Sequence, residues 1–125
     1  MATTVKGIIV EIEGKSSGLV KSLKQVNSSL ADTKNSLNIV ESALKNSPEN
    51  TQLLIHKQDL LTEAIKDTTN KLGLEKKALE DARGALAKGD ITQKEFNKLS
   101  DEVVKTTGDL EKLKGTSKEF GTIWM

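Results

Sequence analysis

Three observations predict an all-α protein made of antiparallel helical hairpins, as an elongated coiled coil or a three-helix bundle, with one short N-terminal β-strand. Apolar residues recur at alternating steps of four and three through most of the chain. Hydrophobic residues make up 35% and aromatic residues 2% of the 125 residues. That is too little for a wide globular core and enough for a narrow seam between long helices. The strongest helix stops gather at two short corners, one holding the single Pro and the other Gly89.

Residues 3–13 are the one strand-like segment within an N-terminal region of residues 1–15. Extended, they would turn Ile8, Val10 and Ile12 to one side and Ile9, Glu11 and Glu13 to the other. Their β-branched side chains suit a pleated surface. No second strand is visible downstream. The segment is therefore either a partly extended tail or a strand that pairs with another copy or a partner. The cost of leaving its Ile and Val residues in water favours pairing.

Residues 16–45 read as the first long helix. Leu19, Leu23, Val26, Leu30, Thr33, Leu37, Val40 and Leu44 form a heptad seam with one polar break. Ser16 or Ser17 can cap it. Its many Ser and Asn residues lower helix propensity, so it depends on its seam. The short break at residues 46–50 favours an antiparallel neighbour.

Residues 47–88 are expected to form the spine, a helix of about 60 Å at about 1.5 Å per residue. Ser47 is the expected cap and Pro48 the first helical residue. One seam runs through Leu54, Gln58, Leu61, Ile65, Thr68, Leu72, Glu75, Leu79, Ala82 and Leu86. A second apolar row, Leu53, Leu60, Ala64, Leu74, Ala78 and Ala85, lies beside it. Two rows imply two neighbours or self-association. Gly73 and Gly84 are the weak points, and Gly73 is a candidate break.

The second corner carries the strongest local signal. Gly89 suits a left-handed C-terminal cap. Thr92-Gln93-Lys94-Glu95 is a capping box, with Ile91 and Phe96 placed for a hydrophobic staple. The third helix, residues 93–114, continues the heptads through Phe96, Leu99, Val103, Thr106, Leu110 and Leu113, and Gly115 is expected to end it. Residues 116–125 show no clear period and read as an irregular tail.

The 19 basic and 18 acidic side chains nearly cancel, leaving +1. That balance argues against nucleic acid or an anionic membrane as a direct partner. No cysteine is present, which excludes disulfides and thiolate sites, and the lone His56 argues against a histidine metal site. There is no long apolar h-region, and no apolar run nears the roughly 18 residues of a membrane span. Neither a Sec signal nor a span is expected.

Other candidate sites are weak. His56 reads as a solvated helical residue. Glu11 and Glu13 read as the wet face of the strand. Lys76-Lys77, between Glu75 and Glu80, reads as a solvated helix face. Gly14-Lys15-Ser16 is a phosphate-loop fragment without its first Gly at the required offset. Asn27-Ser28-Ser29 is a formal sequon on a helix, without weight. No catalytic, cofactor-binding or metal-binding residue is assigned, and no cofactor is expected. The polar seam residues Thr33, Gln58, Thr68 and Glu75 either restrict register and partner number or mark a water-exposed stretch of the seam. Candidate self-association residues are Ile8, Val10, Ile12, Leu54, Leu61, Ile65, Leu72 and Leu79.

Several words of the sequence resemble the N-terminal region of phage tail tape measure proteins. They are Val5-Lys6-Gly7-Ile8-Ile9-Val10-Glu11-Ile12, residues 37–45, Pro48-Glu49-Asn50-Thr51-Gln52-Leu53-Leu54 and Lys57-Gln58-Asp59-Leu60-Leu61. The last is Gly89-Asp90-Ile91-Thr92-Gln93-Lys94-Glu95-Phe96, running on through Leu99 to Lys105-Thr106. The resemblance covers about residues 3–114, and residues 117–125 match nothing in it.

The resemblance implies a non-enzymatic structural role. Tape measure proteins lie in the lumen of the tail tube as extended helices, several copies side by side, and their length sets the number of tail tube rings. It implies a homo-oligomer, tail tube protein and tail assembly chaperones as partners, and a place in the virion tail after a stay in the host cytoplasm. Family members are much longer, so this chain looks like an N-terminal fragment, a truncated prophage product or an excised piece. It would supply assembly, copy number or anchoring. The rival reading is a soluble helical-hairpin adaptor or chaperone that grips a protein partner.

Overall fold

The alternating seams do fold as long helices. The computed structural model describes residues 4–13 and 18–124. Among these, α1 spans Val5–Glu13, α2 Gly18–Asn46, α3 Thr51–Lys88 and α4 Gln93–Trp124. The Ser16 or Ser17 cap lies outside the described residues, as do the side chains of Glu11 and Glu13.

α2 packs on α3, and α3 packs on α4, while the backbones of α2 and α4 do not approach each other. Both pairs are antiparallel. Ser29 meets Asp67 and Glu41 meets Lys57, so numbers rise on α2 as they fall on α3. Glu75 meets Thr106 and Gln58 meets Ser117, giving the same sense for α3 and α4. The buried face of α3 draws on both of its apolar rows, through Leu60, Leu61, Ala64, Leu72, Ala78, Ala82 and Ala85. That is the face a helix needs between two neighbours.

The expected N-terminal strand is corrected: residues 5–13 are helical, and no strand occurs among the described residues. α1 packs against α2, α3 and α4 together. Ile8 and Ile9 are 0% and 1% exposed, in one cluster with Leu19, Leu23, Val26, Ala82 and Leu99. The physical reason is twofold. Val5, Ile8, Ile9 and Ile12 recur at helical spacing, and a helix satisfies its own backbone groups where a lone strand cannot. Thr4 starts it, its Oγ1 accepting from the Gly7 N–H at 3.0 Å and its carbonyl from the Ile8 N–H at 2.9 Å.

The first corner is also corrected. The spine starts at Thr51, and Asn50 is its cap: Asn50 Oδ1 accepts from the Leu53 N–H at 3.1 Å. Ser47 instead closes a turn around Pro48, its carbonyl accepting from the Asn50 N–H at 3.1 Å. Pro48 takes the turn position that its fixed φ favours. The second corner forms as expected. Gly89 has φ 79°, and its N–H reaches the Ala85 and Leu86 carbonyls. Glu95 N–H donates to Thr92 Oγ1 at 3.1 Å, and Thr92 N–H donates to Glu95 Oε1 at 3.0 Å.

Gly73 does not break α3, which runs unbroken for 38 residues, about 57 Å. Nor does Gly115 end α4, which continues to Trp124 in place of an irregular tail. Contacts beyond Gly115 offset its low propensity. Phe120 packs on the cluster of Leu37, Val40, Leu60 and Leu61. Lys57 Nζ sits 4.7 Å from the Phe120 ring centroid. Gln58 Nε2 donates to Ser117 Oγ at 2.9 Å.

Candidate functional site

The most unusual chemistry is a polar belt between two apolar clusters. One cluster joins Ile8 and Ile9 to the start of α2, the end of α3 and the start of α4. The other joins Leu37 and Val40 to Leu60 and Leu61. Between them, α2 contributes Thr33, α3 contributes Thr68 and Glu75, and α4 contributes Thr106, all buried. Each stands at a seam position of its heptads, which is why each points inward.

Glu75 is the chemically distinctive member. It is 2% exposed, and Oε1 has no hydrogen-bond partner. Thr106 hydrogen-bonds its carboxyl group. Burial pushes the Glu75 pKa above the ordinary 4.5; the Thr106 bond and nearby Lys71 oppose the rise, while Glu102 and Asp109 add to it.

Two cavities open beside the belt, and Lys71 lines both. The first, about 270 Å³, has Glu75, Lys24, Asn27 and Glu102 on its walls, with Val5, Lys6 and Ile9 of α1. The second, about 250 Å³, is lined by Thr68, Thr106, Lys34, Asp109 and Lys112, with Leu30 and Leu113 as its apolar part. The belt can therefore hold a proton, fix helix register and lodge small polar groups. Among the described residues, no group of three or more His, Cys, Asp or Glu could hold a metal ion. No described helix is long and apolar enough to cross a membrane.

The candidate self-association residues are distributed unevenly. Ile8, Leu61 and Leu72 are buried inside the chain. Ile12 and Leu79 are partly buried against the first cluster. Val10, Leu54 and Ile65 are half-buried. The structure thus gathers Ile8, Ile12 and Leu79 at one end and leaves Leu54 and Leu61 near the other. His56, Lys76 and Lys77 are exposed.

Of the polar seam residues, Thr33, Thr68 and Glu75 are buried and Gln58 is half-buried, so the water-exposed alternative does not hold for the first three. Thr106, 1% exposed, completes the belt and was not grouped with them from sequence. Its heptad position carried that signal. No family model, curated protein or solved structure matches the chain.

Proposed function

We propose that the chain is a structural, non-enzymatic module of a phage or prophage tail tape measure protein. In the longer relative it would support tail tube assembly and length determination through helical self-association. The observation that carries this reading is the resemblance over residues 3–114. Each quoted word falls on a helix or on a corner between helices: residues 5–12 on α1, 37–45 on α2, 48–54 and 89–96 on the two corners, and 57–61 on α3. Tail tube protein and tail assembly chaperones are the proposed partners, and the tail lumen the proposed location.

Strand pairing has no part in this reading, because residues 5–13 are helical. Copies would instead meet along the outer faces of the long helices, where Ile39, Ile55 and Val104 are exposed at 65%, 46% and 70%. Light scattering on the purified chain tests the association. A mass above that of one chain, rising with concentration, is expected; a single-chain mass at high concentration contradicts it.

A further inference from the structure

We propose that α1 is a detachable latch whose hold on the α2/α4 groove is set by the protonation state of Glu75. The latch is a property of this fold and is independent of what the chain assembles with.

The geometry points to it from both sides. α1 has nine residues, shorter than a helix that stands alone in water. Its Val, Ile and Gly residues lower helix propensity further. It has no acidic residue in its first turn and no basic residue in its last, so its own sequence does little to balance the helix dipole. Its helical state is therefore held by docking, chiefly through Ile8 and Ile9. α2 and α4 make no backbone approach to each other, so α1 can leave without breaking the α2–α3 or α3–α4 seams.

The first turns of α1 roof the cavity that Glu75 walls. Docking walls off one side of that cavity, and the Glu75 carboxyl beside it is 2% exposed with Oε1 unpartnered. A neutral carboxyl tolerates that setting and an ionised one does not. The charged groups around it come from every helix packed there: Lys6 from α1, Lys24 from α2, Lys71 from α3, and Glu102 and Asp109 from α4. Lys71 favours the ionised form, and Glu102 and Asp109 oppose it. Burial outweighs them, as the upward pKa direction records. The proton is thus taken up with docking and given off with release. Each unit of difference between docked and released pKa is worth about tenfold in the docking equilibrium. Release uncovers Ile8 and Ile9 together with the facing Leu23 and Leu99.

Hydrogen–deuterium exchange on the full chain tests the latch, with rates corrected for the intrinsic pH dependence of amide chemistry. The protection of the α1 amides should fall several-fold relative to α3 between about pH 4 and about pH 8. In Glu75→Gln, which keeps the size and removes the charge, α1 protection should stay level over that range. Glu102→Gln, at the wall of the same cavity, should keep the fall. Equal pH dependence of α1 in wild type and Glu75→Gln overturns the proposal. So does a fall shared equally by α1 and α3, since that reports whole-chain unfolding.

Discussion

Thr106 on α4 hydrogen-bonds the carboxyl group of Glu75 on α3, while Oε1 of that carboxyl has no hydrogen-bond partner. This pair stands in the belt that divides the two apolar clusters. A half-satisfied buried carboxyl weakens the seam, yet it also penalises any register that would place it against Leu or Ala.

Glu75→Gln should therefore change how stability depends on pH. The folded pKa of Glu75 lies above the ordinary 4.5, so the folded state holds more protons than the unfolded one in that window. Its contribution is best below the unfolded value and is lost as pH rises through the folded value. Thermal melts should show Glu75→Gln more stable than wild type at neutral pH, with the gap closing near pH 4. An equal gap at both pH values contradicts this.

Two glycines should respond in opposite ways. A Cβ at Gly73 would meet open space, in the middle of a continuous helix. Gly73→Ala should raise stability by about 0.5–1 kcal/mol. Gly89 also has open space around it but has φ +79°, so Gly89→Ala should lower stability by about 1–2 kcal/mol. Denaturant titration of both variants checks the contrast.

Burial ranks the apolar residues. Leu99 is 1% exposed beside Ile8 and Ile9, whereas Ile39 is 65% exposed. Leu99→Ala should cost about 2–5 kcal/mol. Ile39→Ala should stay within about 0.5 kcal/mol in stability, while lowering any self-association measured by light scattering.

Much of the fold was legible because heptads are a direct record of burial. Every seam residue read in α2 from Leu19 to Val40 is buried. The capping box from Thr92 to Glu95 was legible because its two hydrogen bonds need only local geometry. The N-terminal segment misled because its β-branched residues suit a strand, while Val5, Ile8, Ile9 and Ile12 also mark a helical face. Which period wins depended on the groove between α2 and α4, a tertiary feature. α4 ran past Gly115 for the same kind of reason: Phe120 finds the Leu37–Val40 cluster only after the helices pair. The belt was half legible. The heptads placed Thr33, Thr68 and Glu75 on the seam, but whether water reached them depended on the neighbouring helices.

The central proposal, a structural part in a phage tail, is tested most directly by removing residues 18–124 in frame from the gene for the chain in its native genome, followed by induction of any phage particles. Electron microscopy of induced particles should then show tails missing or altered in length. Tails of normal number and length would contradict the proposal.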